Sequence, residues 1–545
     1  MSVDAVRSRN SAKSFYSPAD SSEVDYAGDL GDPGSYPFTR GRRASLDRGG
    51  GWILQELSGE GPPARSNAQF RRLIESGARG LDVIGDAPTF ACFDPDHPMA
   101  RNGVGTQGVS LCRLQDFLEL YDGIPIDRVT LSHSLQGWFG VAAVHLVARA
   151  RGVASAVLRG SVLQMPLYAE DYSYAVHMPV ELRLRLALDS IEFCTREMPR
   201  FHSFIEDTYY VSDGGPDAVE EMALGFVEIR KVVRGLLARG LDIDRFAPRI
   251  AILVNCRMNF FEEVAKIRAT RRLFARMMRE EFGAKDPRSW SVNITAHTAG
   301  SALTAQQPIN NVVRGTVQAL ALAMAGVQAM EISTFDEAYR PPSHEAHVVA
   351  LRTQQIIDLE TGVTGVIDPL GGSYYVERLT NEMEGKIREV VSRIETTGDP
   401  ADLAARGFFR NLLERAMVER AREVQDGILP RVGVNVLTMP EEEDQLLREV
   451  AETKIEPCWD HVERIVEFKR SRDPVRLGGA LRALFEAGKR KEQSLMPAIV
   501  AAFEADATLG EISGMLRLAY DAPYDPFGAM TPPFDGGVLD ARSHP

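Results

Sequence analysis

The sequence has no long hydrophobic run and few cysteines. No apolar stretch in the 545 residues reaches the roughly 18–20 residues that a membrane helix needs, and the polar N-terminus lacks the apolar middle of a signal peptide. The five cysteines are widely spaced and form no CxxC pair, which excludes a disulfide framework. These absences predict a soluble, cytoplasmic protein without a membrane partner.

An excess of positive charge is also missing. The formal net charge is −14, whereas nucleic-acid binders usually carry a basic stripe, so nucleic acid is excluded as a partner. There is no P-loop, and Gly49-Gly50-Gly51 precedes Trp52 rather than opening a helix, which predicts a plain loop. A local arginine cluster can still hold a phosphate in an acidic protein.

A strand-and-helix unit repeats through the middle of the chain. Each unit is a short β-type run followed by an amphipathic helical pattern, and the eight runs are 80–86, 128–134, 155–161, 201–206, 249–255, 290–295, 328–333 and 362–368. Alternating strands and helices predict a parallel sheet. Eight units predict a closed (β/α)8 TIM barrel, with an open doubly wound sheet as the alternative.

Composition divides the chain into four segments. Residues 1–33 are poor in apolar side chains and predict a disordered tail. An N-terminal extension covers 34–67, the barrel 68–400, and a helical C-terminal region 401–545. The predicted fold class is therefore α/β, a TIM barrel with an N-terminal extension and a C-terminal helical region.

Polar residues at the C-terminal ends of barrel strands face an active site. Asp86 ends the first predicted strand, where it indicates either a site residue or ordinary turn chemistry. Ser132 and Ser134 lie near the end of the second strand, and period-two alternation places both on the face opposite His133. These hydroxyls fit either a hollow barrel with a polar ligand or buried groups bonded to carbonyls.

Two further polar features have more than one interpretation. Glu337 follows the seventh predicted strand, where a carboxylate can accept hydrogen bonds from ribose hydroxyls or move a proton, or can simply favour a helix N-terminus. His344 and His347 have i, i+3 spacing but no further ligands nearby in sequence, so no metal site is predicted.

Several stretches of the chain resemble the methylmalonyl-CoA mutase family. They include Tyr-Pro-Phe-Thr-Arg-Gly at 36–41, Gly-Leu-Asp-Ile-Asp-Arg-Phe-Ala-Pro-Arg at 240–249, Leu-Thr-Ala-Gln-Gln at 303–307 and Ile-Asp-Pro-Leu-Gly-Gly-Ser-Tyr-Tyr-Val-Glu at 367–377. The resemblance runs from about residue 35 to 520. It implies a barrel that threads the pantetheine arm of coenzyme A along its axis, and a radical rearrangement of an acyl-CoA that uses adenosylcobalamin.

The family's cobalamin motif, Asp-x-His-x-x-Gly, is absent from the sequence. The chain therefore resembles the large subunits of split mutases, such as isobutyryl-CoA or 2-hydroxyisobutyryl-CoA mutase. The resemblance implies that adenosylcobalamin is held mainly by a separate small cobalamin-binding subunit that carries Asp-x-His-x-x-Gly. A hetero-oligomer with that subunit is expected.

Some site residues of the family match this sequence by position. The resemblance implies that Arg249, Ser132 and Ser134 bind the acyl-CoA substrate. It also implies that Gln328, Glu337 and Asp86 lie near the adenosyl group of the cofactor.

Other family positions are altered here. Leu57 stands for a tyrosine beside the adenosyl group, Gly50 and Gln55 for two arginines on coenzyme A phosphates, and Ser173 for the arginine that pairs with the free carboxylate of methylmalonyl. Losing that bidentate pair predicts that methylmalonyl-CoA is not the substrate. Gly85, in place of a phenylalanine, predicts a larger pocket.

The altered positions suggest new roles. Tyr210 falls where the family has a histidine over the thioester carbonyl, and His297 where it has a glutamine, so Tyr210, His297 and Glu337 are the candidate catalytic residues. Asp82 or His297 is a candidate anchor for a bulkier or hydroxylated acyl group. Arg42, Arg43 and Arg48 are candidates for the phosphates.

Two alternatives to an active acyl-CoA mutase remain. The altered positions also fit a non-catalytic paralogue that assembles with a true mutase, since a fold persists after its activity is lost. A substrate linked to an acyl-carrier protein would explain the missing phosphate arginines.

Overall fold

A computed structural model of the chain describes residues 16–44, 51–169, 175–452 and 454–533. The chain forms two compact units. The first unit consists of Met1–Leu57, Leu73–Gly80 and Ile205–Lys454, and the second of Ser58–Arg72, Leu81–Phe204 and Ile455–Pro545.

Short strands alternate with longer helices along the described residues. The strands are β1 (Ile53–Leu54), β2 (Leu57–Ser58), β3 (Gly80–Ile84), β4 (Thr130–Gln136), β5 (Gly160–Gln164), β6 (His202–Asp207), β7 (Ile250–Cys256), β8 (Asn293–Thr298) and β9 (Ala329–Glu331). The helices are α1 (Pro63–Glu75), α2 (Ala87–Phe90), α3 (Leu114–Leu120), α4 (Gly137–Ala150), α5 (Val180–Glu197), α6 (Thr208–Asp213), α7 (Ala218–Ala238), α8 (Ile243–Phe246), α9 (Phe260–Arg276), α10 (Pro287–Trp290), α11 (Asn310–Ala325), α12 (His344–Glu360), α13 (Tyr374–Thr397), α14 (Pro400–Ala405), α15 (Phe408–Gln425), α16 (Gln445–Glu452), α17 (Trp459–Ser471), α18 (Pro474–Lys489), α19 (Met496–Glu504) and α20 (Leu509–Ala519).

The strands are parallel to their neighbours. In the first unit the order is β1-β9-β8-β7-β6, with His297 of β8 opposite both Asn255 of β7 and Glu331 of β9. In the second unit the order is β5-β4-β3-β2. Every residue of β7 is buried, as expected for a parallel strand covered on both faces. The fold is an α/β barrel with a helical C-terminal region, which confirms the predicted fold class.

The predicted strand at 362–368 is wrong. Gly362 adopts a left-handed conformation with φ 73°, and Val363–Gly365 is a 3-10 turn. The position beside β9 is instead taken by β1, in which Ile53 pairs with Ala329. A two-residue strand is too short to show a period-two pattern, so the sequence does not reveal it.

Two other predicted strands begin three or more residues later than expected. In the run at 155–161, Ser155–Val157 is a 3-10 turn and β5 starts at Gly160. In the run at 290–295, Trp290 ends helix α10 and β8 starts at Asn293. The other runs overlap strands of the structure.

Helix α9 carries a row of buried arginines in the first unit. Arg268 and Arg272 are 0% and 1% exposed, yet both are neutralised. Arg268 pairs with Asp368 and Glu377, and Arg272 Nε lies 2.5 Å from Glu384. Buried charges are tolerated because each faces a carboxylate and further hydrogen bonds.

In the second unit, charged groups attach the C-terminal helices to the loop after β3. Lys469 of α17 pairs with Asp94 at 2.8 Å and with Asp96 at 2.7 Å. Asp94 also accepts hydrogen bonds from the Thr508 hydroxyl and from the Gly510 backbone N–H. Helices α17 and α20 are thereby fixed to this loop.

The predicted N-terminal tail covers 1–33, and its described part is 16–33. Tyr26–Leu30 forms a helical turn whose first N–H groups donate to the Asp25 side chain, and Asp29 pairs with Arg276 at 2.8 Å. Residues 1–15 lie outside the described residues, and the four predicted segment boundaries stay predictions. Within the described ranges, no helix has both the length and the hydropathy for crossing a membrane.

Candidate active site

In the first unit, polar side chains gather at the C-terminal ends of the strands. His297 lies in β8, Tyr209 follows β6, and Glu337 follows β9. The rings of Tyr209 and His297 are 4.9 Å apart. A Cβ added at Gly300 would lie 3.2 Å from the Tyr209 hydroxyl oxygen and 3.3 Å from Glu337 Oε1. The hydroxyl and the carboxylate therefore face one narrow space that a glycine leaves open.

Tyr209, rather than the predicted Tyr210, lies against His297. Asp207 caps helix α6 by accepting a hydrogen bond from the Tyr210 backbone N–H at 3.1 Å, which fixes the rotation of this turn. The turn buries Tyr209, whereas Tyr210 is only half-buried. Because the two tyrosines are adjacent in sequence, only the geometry distinguishes them.

A row of polar contacts that begins at β9 holds the His297 side chain. His297 Nε2 lies 3.1 Å from Glu331 Oε2, and both side chains are buried. The Gln55 amide donates to the other oxygen of Glu331. Gln354 in turn donates to the Gln55 carbonyl at 3.0 Å and to Glu56 at 2.8 Å. His297 is therefore held in one orientation in the described structure.

Burial changes the ionisation of the acids in this region. Desolvation raises the pKa of Glu337 to about 7, although His297 opposes this increase. Burial also raises the pKa of Glu56 well above its usual value, with Glu331 adding to the effect. For Tyr209, burial and then Asp213 and Glu337 raise the hydroxyl pKa, so the hydroxyl stays protonated. The site holds hydrogen-bond donors and a carboxyl group that titrates near neutral pH.

The predicted residues of the second unit have internal partners. The Ser134 hydroxyl donates to the Asp82 carboxylate at 3.1 Å, and Ser132 accepts from the Ser161 hydroxyl at 2.9 Å. Asp86 accepts hydrogen bonds from the Thr89 hydroxyl at 2.6 Å, the Thr89 backbone N–H and the Gly105 backbone N–H. Asp86 therefore organises the loop after β3 as a helix cap.

Gly85 does not open space as the sequence suggested. A Cβ at this position would lie 2.5 Å from Leu135 Cδ2 and 2.9 Å from Thr89 Cγ2. The space expected from the missing phenylalanine is therefore occupied by these side chains. Other predicted positions, Arg48, Gly50 and Ser173, lie outside the described residues.

The two histidines of the i, i+3 pair point to different environments. His344 is exposed, whereas His347 is buried and its Nε2 lies 3.0 Å from the Leu57 carbonyl oxygen. Their environments give no support to a metal site built on this pair. The expectation of no metal stays a prediction.

A basic group lies at the opposite ends of the strands in the first unit. Arg249 directly precedes β7 and Gln328 directly precedes β9. Arg42 and Arg43 line a cavity together with Gln328. Burial lowers the pKa of Arg42 to about 10, and the like charges of Arg43 and Arg249 lower it further. We call Arg42, Arg43 and Arg249 the N-end cluster, and this concentration of positive charge favours an anion.

Gln328 and Glu337 are not brought together. Gln328 Oε1 accepts from the Ile294 backbone N–H at 2.9 Å, and its Nε2 donates to the Gly326 carbonyl at 3.0 Å. Gln328 thus lies before β9 and Glu337 after it, at opposite ends of the strand. The expectation that both lie near one adenosyl group finds no support in this geometry.

Comparisons with known proteins agree with this fold. The family model described as Methylmalonyl-CoA mutase matches residues 6–522. The 2-hydroxyisobutanoyl-CoA mutase large subunit of Aquincola tertiaricarbonis is 33% identical over 495 residues, which cover 90% of this chain and 87% of that protein. Methylmalonyl-CoA mutase of Rhizobium meliloti (strain 1021) is 34% identical, covering 93% of this chain and 71% of that protein.

A relative from an animal is also similar over most of the chain. The mitochondrial methylmalonyl-CoA mutase of Homo sapiens is 30% identical over 512 residues, which cover 94% of this chain and 68% of that protein. The fold and these matches define an enzyme of the mutase class, the intramolecular transferases. The chain belongs to the methylmalonyl-CoA mutase family.

Proposed function

We propose that the chain is the acyl-CoA-binding large subunit of an adenosylcobalamin-dependent carbon-skeleton mutase. One observation carries the proposal. In the first unit, the N-end cluster and the buried Tyr209–His297–Glu337 group occupy opposite ends of the same parallel strands. A coenzyme A thioester likewise has its phosphates at one end and its acyl group at the other. A ligand threaded along these strands would satisfy both groups of residues.

Each end of the strands has a distinct task in this proposal. Arg42, Arg43 and Arg249 bind the phosphates of coenzyme A, because guanidinium groups form charge-assisted pairs with phosphate oxygens. The Tyr209 hydroxyl and the His297 ring are the polar groups closest to the acyl end. A donor aimed at the thioester carbonyl in a dry site stabilises negative charge that develops on that oxygen. His297 also suits a hydroxyl on the acyl group, because imidazole both donates and accepts.

The residues at the acyl end also fit the adenosyl group of the cofactor. Glu337 faces the narrow space at Gly300, where its carboxylate would accept hydrogen bonds from ribose hydroxyls. Gln328 lies at the wrong end of β9, and the oxygens of Asp86 are already engaged by its loop. When bound, adenosylcobalamin supplies the carbon-centred radical that starts the rearrangement. The chain's own residues bind, orient and shield the substrate from water.

The proposal includes a partner. We propose a separate small subunit that carries Asp-x-His-x-x-Gly and holds most of the cobalamin. The name of the Aquincola relative, a large subunit, supports such a division. The complex would be a cytoplasmic hetero-oligomer.

Turnover tests the proposal. The purified full chain is mixed with its cognate cobalamin subunit and adenosylcobalamin under anaerobic conditions, and branched and hydroxylated acyl-CoAs are added. Mass spectrometry and chromatography should reveal an isomerised hydroxylated thioester and no conversion of methylmalonyl-CoA. Complex formation without turnover of any acyl-CoA would favour a non-catalytic subunit or a carrier-protein substrate.

A matched pair of variants tests the acyl-end residues. Tyr209→Phe should lower kcat by about 100-fold, the typical cost of one donor to a developing oxyanion, with little change in KM. Tyr210→Phe removes a hydroxyl one position away and should change kcat less than threefold. Equal losses in both variants would contradict the assignment to Tyr209.

A further inference from the structure

A second group of arginines lies at the C-terminal ends of the strands in the first unit. Arg257 directly follows β7, and Arg314 is in the second turn of α11, the helix that follows β8. Arg420 lies in the last turns of α15, and Arg431 in the segment after it. All four are half-buried. We call them the C-end cluster.

Hydrogen bonds to neutral groups hold this cluster in place. The Arg314 guanidinium donates to Asn311 Oδ1 at 2.7 Å and to the Val432 carbonyl at 2.8 Å, which brings it beside Arg431. The Asn435 amide donates to the Val424 carbonyl at 2.7 Å and to the Leu429 carbonyl at 2.9 Å. The segment carrying Arg431 is therefore fixed to the end of α15, where Arg420 lies.

Arg257 is held in the same way. Its guanidinium donates to the Ser212 carbonyl, in the turn that also contains Tyr209 and Asp213. Its Nε is buried and has no hydrogen-bond partner among the described residues. The C-end cluster thus lies next to the proposed acyl end. Among the described residues, the buried Nε–H of Arg257 has no protein acceptor.

Burial and the charges of neighbouring arginines both act on Arg420 and Arg431. Burial lowers the pKa of Arg420 to about 10, and the charges of Arg257 and Arg431 lower it further. Burial lowers the pKa of Arg431, and Arg314 and Arg257 add to this.

Few acids oppose these four charges. The carboxylates that favour the charged form of Arg420 are Glu423, which is exposed, and Asp213. Burial raises the pKa of Asp213, and the positive charge of Arg257 opposes this increase. Within the described ranges, no carboxylate forms an ion pair with Arg420 or Arg431. An anion bound among these four half-buried cations would offset their mutual repulsion and accept their hydrogen bonds.

We propose that Arg257, Arg314, Arg420 and Arg431 form an oxyanion-binding site, distinct from the N-end cluster, that takes a phosphate or carboxylate group. Planar guanidinium groups converge on such oxygens through bidentate hydrogen bonds. Either a phosphate ester or a carboxylate on the far end of the acyl group would supply this chemistry. The site lies beyond the acyl end, so it is independent of the coenzyme A phosphates.

The experiment measures pyrophosphate binding to the full chain by isothermal titration calorimetry, without cobalamin subunit or acyl-CoA. Arg42→Gln/Arg43→Gln is the background, because it removes two of the three arginines of the competing N-end cluster. In this background one site should remain, and adding Arg431→Gln should weaken it at least 10-fold. The control is Arg378→Gln, which removes an exposed arginine paired with Glu382 and should leave the affinity unchanged.

Circular dichroism and the unfolding temperature verify that each variant is folded, and Arg420→Gln replaces Arg431→Gln if that variant fails. The proposal is overturned if the background variant binds no pyrophosphate, or if Arg431→Gln and Arg420→Gln both bind it as the background does. Competition by malonate but not phosphate would identify a carboxylate as the preferred group, and the reverse a phosphate. These outcomes do not depend on mutase turnover, so either proposal can fail alone.

Discussion

Two sets of arginines in the first unit differ in the charges that face them. On helix α9, Arg268, Arg272 and Arg276 each face carboxylates, which include Asp368, Glu377, Glu384 and Asp29. In the N-end and C-end clusters, arginines face other arginines. The same residue type is part of the scaffold where its charge is matched, and part of a candidate site where it is not. Charge pairing, rather than residue identity, separates the two roles.

The largest expected effect is the loss of a matched arginine. Arg268→Met removes the cation between Asp368 and Glu377. Asp368 keeps its pair with Arg40, whereas Glu377 loses the cation that faces it. The free energy of unfolding should fall by about 3–5 kcal/mol, because an uncompensated buried charge is costly. Urea unfolding followed by circular dichroism measures it. Arg288→Gln, which removes a surface arginine paired with Asp286, should have no measurable effect.

The next effect concerns affinity rather than folding. Arg42→Gln/Arg43→Gln removes two cations that repel each other and Arg249. Binding of coenzyme A should weaken by about 100-fold, from the loss of charge-assisted hydrogen bonds to phosphate, while the unfolding free energy changes little. Titration calorimetry with coenzyme A measures the first quantity. An unchanged affinity for coenzyme A would indicate that its phosphates bind elsewhere on the chain.

Carboxylates follow the same division. Glu377 accepts from Arg268, whereas the pKa of Glu337 is raised to about 7 by burial. A raised acid pKa contributes stability that is full below the unfolded-state value near 4.5 and is lost as pH rises through 7. Glu337→Gln should therefore gain about 2 kcal/mol relative to wild type between pH 5 and pH 8. Urea unfolding at both pH values measures it, and a constant difference would contradict the raised pKa.

The smallest effect has the opposite sign to that of Arg268→Met. Arg420→Gln removes a cation that repels Arg257 and Arg431. The free energy of unfolding should rise by about 0.5–1 kcal/mol at low salt, as for other improvements of surface charge. The gain should shrink at 0.5 M salt because ions screen the repulsion. A loss of stability would show that Arg420 has a structural partner.

The sequence predicts most of the strands but not β1, which pairs with β9. Buried parallel strands such as β7 are continuous apolar runs, and their short length and β-branched residues identify them. Strand β1 has two residues, and no pattern distinguishes it from a loop. The run at 362–368 is apolar and β-branched, yet Gly362 turns the chain with a positive φ. The local sequence pattern therefore predicted a strand at 362–368, whereas the position beside β9 is taken by β1, near the N-terminus.

The candidate site was predictable only in part. His297 and Glu337 follow from their positions near strand ends and from the family resemblance. Tyr209 and Tyr210 differ by one position, and the capping hydrogen bond to Asp207 decides which is buried. The C-end cluster combines residues far apart in sequence, so spacing carries no signal for it. Only the three-dimensional structure shows that these arginines lie near one another.

The pairing of β1 with β9 has a consequence for synthesis of the chain. Gln55 and the acid that it holds, Glu331, are separated by 276 positions. At typical translation rates, a ribosome takes roughly 15–55 s to make the intervening residues. During that interval β9 has not been synthesised, so β1 cannot pair with it. The orientation of His297 therefore depends on a contact that cannot form until more than half of the chain has been synthesised after Gln55.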